Sequence, residues 1–247
     1  MAISTNPLAW LRSVQPRRAI ALLLLLLPLT VGAQTVRDLW LSMPPSLAPY
    51  LNTSLRTQCL DFYDMHTDAQ TDNALKGKSR IDTLTSTFLA ATLSKAHTLQ
   101  MKLLPASGSG SASASGSASG LGSSMVSGSG SSSSLSSCDS VLCMARSWDG
   151  PKRDSEVQLF DRQWKPLQAP LTFSADSFVC RPDTMSEERF SRLVAMLDPI
   201  MFSVSLSPAE NVLLVKLSPV VPNPDDEKAI EQILVQRKLK WDGKTFK

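Results

Sequence analysis

The alternation of apolar and polar residues predicts a chain built mainly from antiparallel strands. Thr98–Leu103 alternates in the way expected of a strand with one buried face, and Val141–Ala145 is apolar on both faces. The Asp-Gly pairs that begin at Asp149 and Asp242 are typical of hairpin turns. Strands are predicted at Ser79–Thr85, Phe88–Leu93, Thr98–Leu104, Val141–Trp148, Glu156–Phe160, Leu171–Cys180, Met201–Leu206, Val212–Leu217 and Arg237–Trp241.

Apolar residues at helical spacing predict four helices around these strands. Asn52 or Thr53 is the expected N-cap of the second helix, and Thr184 with Glu187 has the spacing of a capping box for the third. Pro224 is expected to begin the fourth. The apolar stripes lie within Val36–Met43, Leu55–Tyr63, Phe190–Leu197 and Ile230–Leu234. Because no β-α-β alternation occurs, the predicted fold class is α+β, a mainly antiparallel sheet of meanders and hairpins with several peripheral helices.

A serine-glycine tract separates two of the predicted strands. Ala106–Ser137 contains 17 serines and seven glycines among 32 residues. This composition buries too little apolar surface to offset the entropy of ordering, so we expect disorder. A linker between two domains would leave an unpaired strand on each side of the tract. We therefore interpret residues 34–247 as a single α+β domain that a loop at residues 106–137 interrupts.

The N-terminal residues have the pattern of a cleaved secretory signal. Three arginines precede the apolar run Ala19–Leu29, and small residues end at Ala33. The run is about half the length that a membrane-spanning helix needs. We predict that residues 1–33 are a signal peptide, that no transmembrane span remains, and that the protein is exported to the periplasm, the cell envelope or the exterior.

Export also changes the charge of the chain. The whole sequence has 25 basic and 22 acidic residues, and residues 1–33 contain three arginines and no acid. The exported part is therefore expected to carry no formal net charge. A basic patch is the electrostatic signature of nucleic-acid binding, so we predict no nucleic-acid partner.

Four cysteines follow the predicted signal: Cys59, Cys138, Cys143 and Cys180. Export permits disulfides, and four cysteines allow three complete pairings, of which we expect at most one bridge to form. The alternative is buried free thiols. Cys59 falls on the apolar face of a predicted helix, whereas Cys143 and Cys180 fall in strand-like runs. The absence of a C-x-x-C pair excludes the usual redox and zinc motifs.

The sequence contains no familiar catalytic or cofactor motif. His66 and His97 stand outside any metal-binding pattern, and both are expected to face solvent, the first after a helix and the second in a turn between strands. The nucleophile motifs G-x-S-x-G and S-x-x-K and the phosphate motif G-x-G-x-x-G do not occur. We therefore assign no catalytic, cofactor-binding or metal-binding residue.

Two groups of side chains still invite a functional interpretation. Asp61, Asp64, Asp68 and Asp72 form an acidic run that suits calcium or acid/base chemistry, but the spacing is not that of an EF-hand, and a solvated helix end is the preferred interpretation. Exposed tryptophans mark glycan or protein surfaces, and buried ones anchor hairpins. We favour the structural role for the tryptophans that follow the signal, which are Trp40, Trp148, Trp164 and Trp241.

Several segments resemble a known family. They read AQTVRDLWLSMPPSLAPYL, NALKGKSRIDTLTSTFLAATLS, HTLQMKLLP, SEVQLFDRQWKPL and LKWDGKTF. Together they resemble a family of exported Bacteroidales proteins that contain a domain of unknown function, DUF3256. The resemblance covers nearly all of the chain after residue 33 except the serine-glycine tract. It implies export in a Gram-negative cell, and it implies no activity and no catalytic residues.

These observations favour a non-enzymatic binding or interaction domain without a cofactor. Its expected partner is an envelope protein, a peptide or a glycan. Two alternatives stay open. One is a divergent hydrolase of envelope substrates that uses aspartates such as Asp64 or Asp72 as acid and base. The other is a structural envelope component, which would show a large apolar surface patch.

Overall fold

The structure, a computed structural model, describes residues 34–106, 140–221 and 223–247. The predicted signal peptide, the serine-glycine tract from residue 107 onward and Cys138 lie outside these residues. The helices are α1 (Val36–Ser42), α2 (Thr53–Asp64), α3 (Glu187–Ala195) and α4 (Pro224–Glu231), and a 3-10 turn lies at Ala175–Phe178. The strands are β1 (Thr71–Asp72), β2 (Lys78–Leu84), β3 (Phe88–Ser94), β4 (His97–Pro105), β5 (Ser140–Asp149), β6 (Arg153–Phe160), β7 (Phe202–Leu206), β8 (Val212–Leu217) and β9 (Arg237–Lys240).

The strands form two antiparallel sheets. Strands β1 to β6 pair in chain order as a six-stranded meander, and β7, β8 and β9 form a smaller sheet in the same simple order. Helices α2 and α4 begin where the sequence predicts, since the Asn52 side chain accepts the N–H of Leu55 and Pro224 is the first residue of α4. The α+β fold class with mainly antiparallel strands is confirmed.

The strands on either side of the serine-glycine tract are direct neighbours in the larger sheet. Strands β4 and β5 pair at nine positions, from His97 opposite Trp148 to Pro105 opposite Ser140. The tract therefore joins two paired strands at the Pro105 end of this ladder. His97 and Trp148 lie at the other end, about 26 Å away at the usual rise of a strand.

The larger sheet buries apolar side chains on both faces. Leu99 and Met101 of β4 point to the face that α1 and α2 cover, and they share a core with Trp40. Cys143 and Ala145 of β5 point to the opposite face, where they pack with the smaller sheet and with α3 and α4.

Side chains of the larger sheet also hold the edge of the smaller one. An edge strand exposes unpaired N–H groups. The hydroxyl of Ser155 accepts the N–H of Val204 at 3.1 Å, and the side-chain carbonyl of Gln100 accepts the N–H of Leu206 at 2.7 Å. These bonds satisfy the edge of β7 where it crosses the larger sheet.

Two local predictions were wrong, and one short strand was missed. The third helix is capped by Ser186, whose hydroxyl accepts the N–H of Arg189, and not by a Thr184 capping box. Leu171–Cys180 is not a strand: Leu171 and Cys180 donate to Val157 and Ile233, and the segment contains the 3-10 turn. Its apolar residues serve packing, since the rings of Phe173 and Phe178 lie 6.1 Å apart. The two-residue strand β1 was not predicted.

Candidate binding site around Trp148

Five side chains meet at the end of the sheet opposite the tract: Tyr50, His97, Arg146, Trp148 and Glu156, hereafter the Trp148 cluster. His97 begins β4, Arg146 and Trp148 are two residues apart on β5, and Glu156 is opposite Arg146 on β6. Residues two apart on a strand share a face, so the sheet itself assembles the cluster. Tyr50 comes from the segment between α1 and α2.

Two polar side chains contact the indole of Trp148. The ring of His97 stacks on it, with centroids 5.1 Å apart and an interplanar angle of 12°. The guanidinium carbon of Arg146 lies 5.6 Å from the indole centroid, within cation–π range. Trp148 is nevertheless 40% exposed. The ring is thus fixed in position while part of it stays open to solvent.

His97 is bonded to a phenol. Its Nδ1 shares a hydrogen bond with the hydroxyl of Tyr50, and its Nε2 is buried without a partner among the described residues. Burial, and then the charge of Arg146, lower the pKa of His97 to about 4. Burial raises the pKa of Tyr50 to about 12. Both side chains are therefore neutral near pH 7 and unsuited to proton transfer there.

Arg146 and Glu156 form a cross-strand ion pair. Nη2 of Arg146 donates to Oε2 of Glu156 at 2.8 Å, and the two side chains are 18% and 34% exposed. The carboxylate of Glu156 compensates the charge of the guanidinium. Because Tyr50 and His97 are neutral, the cluster as a whole is neutral near pH 7. Further guanidinium N–H groups and the second carboxylate oxygen make no hydrogen bond to the described residues.

Trp148 differs from the other described tryptophans. The indole N–H of Trp40 donates to the carbonyl of Arg56, that of Trp164 to the hydroxyl of Ser42, and that of Trp241 to the carbonyl of Pro105, as the preferred structural role requires. The indole N–H of Trp148 makes no hydrogen bond to any described residue. An exposed indole with an unused donor is the kind of group that binds another molecule.

The sequence prediction for His97 was wrong. The side chain is only 9% exposed because it begins β4 on the helix-covered face, between Tyr50 and Trp148. Tyr50, Arg146 and Glu156 were not singled out from the sequence. The available signal was the Arg-x-Trp spacing on one predicted strand, but the partners on β6 and before α2 become visible only in the folded chain.

His66 and the acidic run lie elsewhere. His66 follows α2, is exposed as predicted, and its Nδ1 bonds the carbonyl of Tyr63. Asp64 binds Arg37 and Asp72 binds Lys78 in ion pairs at the surface. All members of the run are exposed, as expected for a solvated helix end: Asp61, Asp64, Asp68 and Asp72. Neither Asp64 nor Asp72 makes a hydrogen bond or an ion pair with either histidine in the described part of the chain.

The three described cysteines are free. Cys59 and Cys143 are buried, and Cys180 is exposed in the segment that the sequence suggested was a strand. Within residues 34–106, 140–221 and 223–247, no group of three or more histidine, cysteine or acidic side chains is placed to hold a metal ion. No helix in the same residues combines the length and apolarity needed to cross a bilayer.

Comparison with known proteins places the chain in a family. A solved structure of a domain of an uncharacterized protein from Porphyromonas gingivalis W83 matches with a TM-score of 0.59 and 19% identity, over 86% of this chain and 98% of that one, which shows a shared fold. No curated protein matches the chain. The model of a family described as "Protein of unknown function (DUF3256)" matches residues 28–113 and 133–246. These two stretches are separated by residues 114–132, in the middle of the serine-glycine tract, and make up most of the sequence, so the chain belongs to the DUF3256 family.

Proposed function

We propose that this protein is an exported, non-enzymatic recognition domain of the cell envelope and that the Trp148 cluster is its binding site. Export is supported by the three arginines, the short apolar run and the small residues that end at Ala33. Recognition is supported by one observation above all. Trp148 is rigidly stacked and partly exposed, and its indole N–H is unused among the described residues.

The chemistry of the cluster supports binding without reaction. Burial keeps Tyr50 and His97 in their neutral forms, since their pKa values of about 12 and about 4 lie far from pH 7. The carboxylate of Glu156 is engaged by Arg146. These groups offer hydrogen bonds and an aromatic surface, which fix a ligand's orientation.

Export is tested by expressing the full chain with a C-terminal tag in a Gram-negative host and fractionating the cells. We expect the protein in the periplasmic or envelope fraction, with Gln34 as its first residue. Recovery of the intact N-terminus in the cytosol contradicts export. A variant in which Leu24 and Leu25 are both replaced by Arg is the control, because it disrupts the apolar run and is expected to stay in the cytosol.

Binding is tested by immobilising the protein and measuring which envelope fractions it retains: periplasmic proteins, detergent extract of the outer membrane, and solubilised polysaccharide. We expect at least one fraction to be retained and Trp148→Ala to reduce retention at least ten-fold. Met196→Ala is the matched control, because Met196 is 37% exposed and lies just after α3. Retention that Trp148→Ala leaves unchanged contradicts the assignment of the Trp148 cluster as the binding site. Steady release of cleaved product contradicts the non-enzymatic role.

A further inference from the structure

We propose that the Trp148 cluster binds a neutral saccharide ring of an envelope polysaccharide. This inference rests on the proposed recognition function and narrows its ligand to one chemical class. Three features of the cluster support this inference. They are an aromatic surface of limited size, unused hydrogen-bond donors and acceptors beside that surface, and the absence of net charge.

The aromatic surface suits a single ring. A pyranose presents C–H groups on its faces, and these pack on the electron-rich face of an indole. His97 supports the indole from within, and 40% of Trp148 remains accessible. Large protein interfaces need several apolar anchors together. Within the part of the chain that the structure describes, only one other exposed large apolar residue, Leu75, belongs to a turn bonded to Tyr50, through the N–H of Ala74.

The polar groups beside the indole suit hydroxyls. Arg146 gives one hydrogen bond to Glu156 and keeps further donors, and Glu156 keeps a second acceptor oxygen. Gln158, two residues beyond Glu156 on the same face of β6, is half-buried and adds an amide with no partner among the described residues. A sugar hydroxyl both donates and accepts, so adjacent hydroxyls can bond the guanidinium and the carboxylate together.

The balance of charge favours a neutral sugar over an anionic one. Arg146 is the cation of the cluster, and Glu156 lies 2.8 Å from it. His97 is neutral at pH 7, so it adds no positive charge. A phosphate or carboxylate ligand would have to approach the carboxylate of Glu156 without an uncompensated cation. Sites for single-stranded nucleic acid combine stacking with a basic groove. The cluster offers the stacking surface, but its cation is already paired with Glu156, so it does not favour nucleic acid.

The experiment uses the envelope fraction that the immobilised protein retains. One portion is oxidised with periodate, which cleaves vicinal diols, and then quenched; a second is digested with proteinase K, which is then inactivated. We expect periodate to reduce Trp148-dependent retention at least ten-fold and proteinase K to leave it within two-fold. Met196→Ala protein should behave as wild type throughout.

A second measurement uses defined probes. Chitotriose, mannotriose and maltotriose are titrated against the ¹⁵N-labelled protein, with trigalacturonate as the anionic counterpart. We expect at least one neutral probe to shift the indole N–H signal of Trp148 saturably, while those of Trp40, Trp164 and Trp241 stay unmoved. Glu156→Gln leaves Arg146 uncompensated, so we expect it to move the preference at least five-fold toward trigalacturonate.

The outcomes separate the two proposals. Retention that resists periodate but is lost to proteinase K overturns the saccharide inference and leaves a recognition domain for proteins. A wild-type preference for trigalacturonate overturns the neutral class. Retention of no fraction at all overturns the recognition function itself. Should Trp148→Ala fail to fold, the Glu156→Gln preference and the wild-type indole shifts still decide the matter.

Discussion

The ammonium group of Lys102 lies 2.5 Å from the main-chain carbonyl oxygen of Ser207, 105 residues further along the chain. It also donates to the carbonyls of Pro208 and Glu210 at 3.1 and 2.7 Å, so one side chain of β4 holds the whole β7–β8 turn. Lys102 is only 2% exposed, and burial lowers its pKa. A buried cation is tolerated here because three carbonyl dipoles replace its hydration.

Replacing Lys102 with Met should therefore destabilise the protein. Three carbonyls would lose a charged donor, and we expect the free energy of unfolding to fall by about 2–4 kcal/mol. Urea denaturation followed by circular dichroism measures this loss. Lys95→Met, at an exposed position in the preceding turn, should change stability by less than about 0.5 kcal/mol. Equal effects of the two substitutions contradict the role of Lys102.

The depressed pKa of His97 predicts a loss of stability in acid. Between the ordinary value near 6.5 and the folded value of about 4, the unfolded chain binds a proton that the folded chain does not. Stability must therefore decrease as the pH falls through this window. We expect His97 to account for about 3 kcal/mol of the free energy of unfolding that is lost between pH 7 and pH 4.

Replacing His97 with Phe keeps a stacked ring beside Trp148 and removes the titration. Carboxylates titrate in both proteins, so the quantity to compare is the stability lost from pH 7 to pH 4. We expect this loss to be about 3 kcal/mol smaller in the variant. Identical pH profiles from urea denaturation would show that His97 is protonated normally in the folded protein.

Asn73 is expected to fix the turn between β1 and β2. Its amide nitrogen donates to Leu93 at 2.7 Å and Ser79 at 3.0 Å, and its oxygen accepts the N–H groups of Leu75 and Gly77. Asn73→Asp preserves the shape but sets a carboxylate oxygen against the carbonyl of Leu93. We expect a loss of about 2–4 kcal/mol in thermal or urea unfolding. The exposed Asn211→Asp serves as the control and should be nearly neutral.

Deleting Gly108–Ser136 tests the interpretation of residues 34–247 as a single domain. Five residues would remain between the paired Pro105 and Ser140, a common length for a hairpin connection. The shorter loop costs less closure entropy, so we expect one unfolding transition and stability unchanged or raised by up to about 2 kcal/mol. Two separate transitions in calorimetry would contradict a single domain.

The cysteines are predicted to differ in reactivity. Burial raises the pKa of Cys59 and that of Cys143, whereas Cys180 is exposed. In a Cys138→Ser background, a thiol reagent should modify Cys180 quickly in the native protein. Modification of Cys59 and Cys143 should require unfolding, and its rate should be at least 100-fold lower. Adding Cys180→Ser should abolish the fast phase. A fast phase that survives this substitution contradicts the assignment.

Periodicity predicted most readily the elements that bury a single face. Val204 and Leu206 alternate with serines and lie inside, and Val36, Leu39 and Trp40 recur at helical spacing and are buried. Leu171–Cys180 misled the prediction because apolar residues in an irregular segment pack as densely as those in a strand. The short β1 carries too few residues for any periodic signal.

The candidate binding site was less predictable because its members come from distant positions. Trp148 was noted as a possible surface aromatic, but its stacking on His97 depends on the β4–β5 register, which 34 intervening residues leave undetermined in the sequence. The hydrogen bond between His97 and Tyr50 depends on how the segment after α1 packs. The unused indole N–H becomes evident only when the hydrogen bonds of the other tryptophans are known.

The nine-pair ladder between β4 and β5 has a practical consequence. Changes in the length or composition of the connection after Pro105 meet the sheet at one end, and the stacked indole sits at the other. Foreign sequence, such as an affinity tag or a fluorescent reporter, is therefore best accommodated in place of residues 108–136. A molecule tethered there would leave the Trp148 cluster unobstructed for biosensor or imaging work.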